Sequence, residues 1–125
     1  MDALPISNKE RLKVWSPVLF LMILIFCSSA IPGKRIPKVF NHQDIFLHLI
    51  VYLIMGFYFA RALKKTFPKI TPQKIIMLTT IFMVLYGASD EFHQAFVPNR
   101  TVSGMDLCMD SLGGFFGGLA YQWRK

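Results

Sequence analysis

The stretch GASDEFHQAFVPNRTVSGMDLCMDSLGG, residues 87–114, places a dense group of polar side chains between two apolar runs. The whole chain has only seven acids, and four of them lie in this stretch. They are Asp90, Glu91, Asp106 and Asp110. The apolar runs on either side decide the fold, and the acids between them indicate where function resides.

The chain is more apolar than a soluble domain of its size. Of its 125 residues, 54% are apolar and 14% aromatic, whereas soluble domains have about 45–50% apolar residues. The apolar residues gather in four blocks, which cover residues 15–31, 45–63, 75–97 and 107–123. Each block is close to the roughly 20 residues that a helix needs to cross a bilayer core, and open strands cannot satisfy their backbone there. We predict a single all-α membrane domain over residues 1–125, a polytopic bundle of four transmembrane helices.

Basic residues are distributed unevenly around these blocks. Ten of the fourteen lie before the first block, around the second connection or at the C-terminus, and the other four lie in the first and third connections. Because lysine and arginine near span ends stay in the cytoplasm, we predict that both termini are cytoplasmic and that the first and third connections are extracytoplasmic. We expect the protein in the inner (plasma) membrane. Its net charge of +7 then reflects topology and anionic lipid headgroups, not nucleic-acid binding.

Two features of the chain leave alternatives open. The first block has a basic leader and ends in small residues at Ala30, so it is either a retained span or a cleaved signal peptide. Cleavage would leave the other spans in the same orientation. Cys27 and Cys108 are either a disulfide in an oxidising compartment or two small buried apolar residues.

The polar residues of three blocks fall at one depth and on defined helix faces. Because an α-helix rises ~1.5 Å per residue, Asp90 lies near the outer end of the third block, and Asp106 and Asp110 lie within the first turns of the fourth. The second block carries a polar-to-small stripe, and the third carries a polar face with Glu91 about 100° around. The stripe is Asp44, His48, Tyr52 and Gly56, and the polar face is Gly87, Asp90, Gln94 and, beside them, His93.

In the fourth block the acids continue into Gly113, Gly114, Gly117 and Gly118. Glycines at this spacing let a neighbouring helix approach closely, so we expect the stripe that carries the acids to pack inward. Ionisable groups within a bilayer are costly unless they face an interior, so the cluster predicts a polar pocket beneath the outer surface.

This set of side chains is suited to metal or acid–base chemistry. Asp106 and Asp110 can present two carboxylates to one divalent cation, with Glu91 or Asp90 completing an oxygen shell. A histidine, His48 or His93, can then act as general base or join the shell of zinc or manganese. Arg100 can pair with one of the acids or bind a phosphate or carboxylate on a headgroup.

Three segments together resemble a known family. DIFLHLIVYLIMGF from Asp44, SDEFHQAFVPNR from Ser89 and DLCMDSLGGFFGG from Asp106 are similar to the signature segments of VanZ-like membrane proteins. The resemblance covers nearly the whole chain and includes the Ser28-Ser29 pair at the end of the first block. The matching positions are Asp44, His48, Tyr52, Glu91, Gln94, Arg100, Asp106 and Gly113. The chain has Asp110 where the family more often has asparagine.

The resemblance implies a small integral membrane protein of a family named for a teicoplanin-resistance accessory factor, without implying a reaction. We expect it to act on a cell-envelope lipid or lipid-linked headgroup, with a divalent cation as the candidate cofactor. The partners we expect are membrane lipids and either a lipid-linked cell-wall precursor or a glycopeptide. The alternatives are non-catalytic binding of such a ligand and a structural subunit of an envelope complex.

The residues divide into three expected roles. The catalytic candidates are His48, Glu91, Gln94, Arg100 and Asp106. The binding candidates are Asp44, Tyr52, Asp90 and His93. The metal candidates are Asp106, Asp110 and Glu91.

Overall fold

The computed structural model describes residues 4–124 as four α-helices and one short 3-10 turn. The helices are α1 (Asn8–Ser29), α2 (Gln43–Thr66), α3 (Pro72–Gln94) and α4 (Gly104–Trp123), and the turn is Gly33–Arg35. No strand occurs within the described range, so the all-α prediction is confirmed. Residues 1–3 and 125, which the predicted domain includes, lie outside the described residues.

The helix ends differ from the predicted block ends for local reasons. α1 begins before its apolar block because Ser7 and Glu10 form a capping box. Ser103 caps α4, which begins at Gly104 instead of 107. α3 ends at Gln94 instead of 97, because Val97 precedes Pro98 and a residue before proline disfavours the helical conformation.

Three of the helices, α1, α2 and α3, are long and apolar enough to cross a membrane. α4 has a comparable length of 20 residues, but two aspartates and five glycines reduce its hydropathy. The outward faces carry large exposed apolar side chains, including Phe20 (65% exposed) and Leu85 (64%). Such side chains are costly in water but not in lipid, so the exposed surface of the bundle fits a membrane.

α4 occupies the centre of the bundle, although it is the one helix of the described residues that does not qualify as a membrane span by length and hydropathy. It packs most extensively against α2, to which it runs parallel, and next against the antiparallel α3. Gly113 and Gly117 face α2, whereas Gly114 and Gly118 face α3. A Cβ atom at Gly117 would lie 2.3 Å from the carbonyl oxygen of Leu53, so only glycine permits this approach. The prediction that the glycine stripe packs inward is confirmed.

α1 packs mainly on α2 and touches α3 less. Trp15 Nε1 donates to Thr66 Oγ1 at 2.9 Å, and the hydroxyl of Tyr86 donates to the carbonyl of Met22 at 2.5 Å. These contacts place the start of α1 beside the end of α2. The helices therefore alternate in direction. We call the end where α1 and α3 end and α2 and α4 begin the polar end, and the opposite end the basic end.

Both cysteines are free and exposed, Cys27 on α1 and Cys108 on α4. Within the described residues α1 and α4 do not contact each other, so the structure does not support the disulfide. The alternative that both are buried is wrong, because each lies on the outward face of its helix.

The two connections at the polar end are joined to each other. The amide of Gly33 donates to the carbonyl of Pro98 at 3.1 Å. A Cβ atom at Gly33 would lie 1.9 Å from the carbonyl oxygen of Asn99, so glycine is required at this contact. The first and third connections therefore lie side by side at the polar end.

Candidate functional site

His48 and Asp110 form the centre of the polar end. The Nδ1 atom of His48 lies 2.7 Å from Oδ1 of Asp110, which is fully buried. The Nε2 atom of His48 lies 3.8 Å from Oδ2 of Asp106. Because Asp110 occupies Nδ1, the histidine is held in one orientation with Nε2 available to another group.

Asp110 fits between the helices because α3 has a glycine opposite it. A Cβ atom at Gly87 would lie 2.6 Å from Oδ2 of Asp110. Gly87 therefore leaves space for the carboxylate of Asp110. Sequence analysis predicted Gly87 only as part of a polar face of the third block.

Asp90 belongs to a buried network that joins α3 to α1. Ser29 Oγ donates a hydrogen bond to Asp90 Oδ1, and Gln94 Nε2 donates to Asp90 Oδ2 at 3.2 Å. Gln94 Nε2 also lies 3.2 Å from Ser29 Oγ. Ser29 was not among the predicted site residues, although the Ser28-Ser29 pair was a signal for it. Cleavage after Ala30 would remove Ser29 from this network.

Glu91 faces α4 and not α1. Its Oε2 atom accepts from the amide of Ser103 at 2.9 Å, while Ser103 Oγ accepts from the amide of Asp106. The Oε1 atom of Glu91 is buried with no hydrogen-bond partner. Ser103 was also missed, although the Ser-x-x-Asp spacing before an apolar run is a helix-start signal.

Arg100 contacts α1 rather than an acid. Its Nε donates to the carbonyl of Ile31 at 2.9 Å, and its Nη2 donates to the carbonyl of Ser28 at 2.7 Å. A cation at this position satisfies carbonyls at a helix C-terminus and complements the helix dipole.

The remaining predicted residues differ in their placement. Tyr52 is 1% exposed, its ring is stacked on His48, and its hydroxyl has no hydrogen-bond partner. Asp44 is exposed at the start of α2. His93 stacks on Phe26 of α1 with ring centroids 4.5 Å apart. His93 lines neither of the cavities described next, and neither does Asp90, whereas Asp44 lines both and Tyr52 lines the first of them.

Two adjoining cavities open at the polar end. The first, of about 360 Å³, is lined mainly by apolar side chains of α1 and α2 such as Leu24, Ile25, Leu47 and Val51. The second, of about 400 Å³, is lined mainly by polar residues of the connections and helix starts. We call them the apolar cavity and the polar cavity. Their shared lining residues are Ile36, Asp44, His48, Gln94 and Arg100.

One group of potential metal ligands lies close together in the described part of the chain. One ligand atom each from His48, Asp90 and Glu91 lies within 4.8 Å of the others. Asp106 and Asp110, which the sequence pairs on one ion, instead contact His48 through different nitrogens. Sequence analysis named all three members of this group as possible ligands, Glu91 or Asp90 for the oxygen shell and His48 for zinc or manganese, but it placed Asp106 and Asp110 first.

Comparison with known proteins identifies the family. The sequence profile of the VanZ/LLP1 family matches residues 14–125, which include α2, α3, α4 and most of α1. Searches of curated proteins and of solved structures found no significant match. With three helices able to span a membrane, the matched region has the character of a multi-pass membrane protein. The chain belongs to the VanZ/LLP1 family.

Proposed function

We propose that the protein binds an anionic amphiphile of the cell envelope, with the hydrocarbon chain in the apolar cavity and the headgroup in the polar cavity. The observation that carries this proposal is the adjacency of the two cavities, which share His48, Gln94 and Arg100 as lining residues. Ligand sites typically combine an apolar surface with a few convergent polar groups, and this pair of cavities has both.

Three basic residues among the linings can contact an anionic headgroup, beside two acids, Asp44 and Asp106. Lys38 and Arg100 line the polar cavity, and Arg35 lines the apolar one. Arg100 uses Nε and Nη2 on carbonyls of α1, so its remaining donors are available to a phosphate or carboxylate. A lipid-linked cell-wall precursor and a phospholipid share this chemistry.

A more specific form of the proposal is that the protein catalyses a reaction on the bound headgroup. It is favoured by the contact of His48 with the buried Asp110, because a histidine oriented through one nitrogen is suited to proton transfer or metal binding at the other. His48, Glu91, Gln94, Arg100 and Asp106 remain its catalytic candidates.

The proposed topology has four spans, including α4, with both termini in the cytoplasm. The basic end carries Lys64, Lys65 and Lys69 around the connection from α2 to α3, as the positive-inside rule expects. The polar end then faces the extracytoplasmic side of the plasma membrane. Reporter fusions to the two termini test this arrangement. Activity of an alkaline phosphatase fused to either terminus would contradict it, because that enzyme folds only outside the cytoplasm.

Photocrosslinking tests amphiphile binding. The purified protein in phosphatidylcholine nanodiscs is incubated with a photoreactive polyprenyl phosphate or, separately, a photoreactive phosphatidylglycerol, and the crosslinked residues are mapped by mass spectrometry. We expect crosslinks at Leu24, Leu47 or Val51 from one probe. Preference for either probe distinguishes the two sources of the anionic headgroup.

A matched pair of variants tests whether the apolar cavity is the site. Leu47 and Ile50 are both 52% exposed on α2, but only Leu47 lines the apolar cavity. Leu47→Trp fills the cavity and should remove most of the crosslinking, whereas Ile50→Trp should not. Equal labelling of both variants would contradict the proposal.

A cellular assay separates catalysis from binding. The family link to teicoplanin leads us to propose that expression in a susceptible host lowers teicoplanin susceptibility. If the protein is an enzyme, Asp106→Asn and Glu91→Gln abolish this effect at unchanged protein abundance. Full retention by both variants would favour non-catalytic binding, and loss of abundance would favour a structural subunit.

A further inference from the structure

We propose that His48, Asp90 and Glu91 bind one divalent transition-metal ion, for which Zn²⁺ is the best fit, and that Asp110 positions His48 without binding the ion. The inference deepens the proposed function, since the ion would lie beside the polar cavity. It differs from the set expected from the sequence by leaving out Asp106 and Asp110, the pair placed first there.

The donor atoms of these three residues are already close together. One nitrogen of His48 and one oxygen each from Asp90 and Glu91 lie within 4.8 Å of one another. Ligands about 2.1 Å from a tetrahedral ion are about 3.4 Å apart. The donor atoms therefore need to approach one another by at most about 1.4 Å to bind one ion.

Each of the three residues is also held by a neighbour from another part of the fold. Asp110 of α4 contacts His48 through Nδ1, so the proposal assigns Nε2, which lies 3.8 Å from Oδ2 of Asp106, to the ion. The Ser103 amide holds Glu91 through Oε2. Ser29 of α1 and Gln94 hold Asp90, whose oxygens each retain a second lone pair. Metal-binding side chains characteristically have such outer partners, which fix their orientation.

An independent observation points to a missing partner at this place. Glu91 is 5% exposed, and its Oε1 atom has no hydrogen-bond partner. A buried carboxylate oxygen without a donor is costly, and the cost is greater in a protein surrounded by lipid. A cation between Glu91, Asp90 and His48 would satisfy this atom.

The charge balance of the cluster agrees with a cation. Asp90, Glu91, Asp106 and Asp110 are all at least nine-tenths buried, and the ion pairs that Asp106 and Asp110 form are with His48. Arg100, the nearby guanidinium in the third connection, donates to carbonyls of α1. A divalent ion would offset part of the negative charge that the protein itself leaves unbalanced.

The ligand types favour zinc over magnesium. One imidazole and two carboxylates are usual zinc ligands, whereas magnesium prefers an octahedral shell of oxygens and water. Three protein ligands leave a fourth position open, as in catalytic zinc sites. Because His48 lines both cavities, we infer that this position takes water or an anionic oxygen of the headgroup.

Metal binding is measured on the detergent-purified protein without added lipid, so that its failure is distinct from a failure of amphiphile binding. After treatment with a chelator, the protein is equilibrated with Zn²⁺ and its metal content is determined by mass spectrometry. A parallel sample is loaded with Co²⁺, whose visible spectrum reports nitrogen and oxygen ligands. We expect one ion per chain and a higher melting temperature with Zn²⁺.

Four conservative variants test the assignment of roles. Glu91→Gln and Asp90→Asn should lose stoichiometric metal, whereas Glu10→Gln, the control at an exposed acid of the basic end, should retain it. Asp110→Asn should keep one ion with an altered Co²⁺ spectrum and an affinity about 10–100-fold weaker, as for other outer partners. Circular dichroism checks the helical content of each variant.

Several outcomes would overturn the inference. Wild-type protein that binds neither Zn²⁺ nor Co²⁺ excludes the site outright, independently of any variant. Retention of stoichiometric metal by folded Glu91→Gln and Asp90→Asn excludes the ligand set. Complete loss of metal in folded Asp110→Asn would make Asp110 a ligand and refute its positioning role.

Discussion

A Cβ atom at Gly87 would lie 2.6 Å from Oδ2 of Asp110, so the carboxylate that holds His48 occupies the space of an absent side chain. We predict that Gly87→Ala displaces Asp110 and lowers stability by about 1–3 kcal/mol, the usual cost of overpacking. The apparent melting temperature in detergent measures the effect. Gly104→Ala is the control, because no atom lies within 4 Å of a Cβ there. Equal melting temperatures for the two variants would contradict the prediction.

The two adjacent serines at the end of α1 should respond differently to substitution. Ser29 is 4% exposed and hydrogen-bonds with Asp90 and Gln94, whereas Ser28 is exposed and contributes its carbonyl. Ser29→Ala leaves buried polar groups without a partner and should cost about 1–3 kcal/mol. Ser28→Ala should change stability by less than about 0.5 kcal/mol. Chemical unfolding in mixed micelles measures both, and a larger loss for Ser28→Ala would refute the role of the network.

Arg100 should stabilise the protein even without a ligand, because it donates to the carbonyls of Ser28, in the last turn of α1, and of Ile31, just after α1. We expect Arg100→Met to cost about 1.5–3 kcal/mol, nearer the lower value because the side chain is partly exposed. Arg100→Lys should restore part of the loss, since a lysine can reach one carbonyl. Arg35→Met is the control for removing a positive charge at the polar end. The measurement is the melting temperature of the ligand-free variants. An unchanged melting temperature for Arg100→Met would contradict the stabilising role and leave Arg100 only its proposed contact with the headgroup.

The glycines of α4 should differ in their tolerance of alanine. A Cβ atom at Gly117 would lie 2.3 Å from the carbonyl oxygen of Leu53, whereas one at Gly118 would make ordinary contacts at 3.6 Å with α3. We predict that Gly117→Ala pushes α4 from α2 and lowers the melting temperature clearly more than Gly118→Ala. The reverse order, seen by thermal denaturation in detergent, would show that the α2 contact is looser than described.

Much of this arrangement follows from the pattern of apolar and polar residues. Four apolar blocks predict the four helices, and depth along the blocks predicts that His48, Asp106 and Asp110 meet. The pattern does not predict how each helix is rotated against its neighbours. Glu91 is about 100° around α3 from the face that carries Asp90. Both residues are nevertheless buried, because α3 contacts α1 on one side and α4 on the other.

Long-range contacts explain the remaining differences. Arg100 donates to the backbone carbonyls of Ser28 and Ile31. A sequence pattern does not indicate which backbone groups a distant side chain will contact. His93 differs from Gln94 by one position, but that rotation directs it to Phe26 and away from the cavities. The exposure of Cys27 and Cys108 likewise depends on which faces the neighbouring helices leave uncovered.

The two exposed thiols are also natural attachment sites for a pair of spin labels. The chain has only these two cysteines, and they lie on the helices that do not contact each other. Spin labels on Cys27 and Cys108 of the unaltered protein would report the distance from α1 to α4. Since the apolar cavity lies between α1 and α2, a lipid that separates these helices would change the measured distance, and occupancy could be followed without engineering a label site.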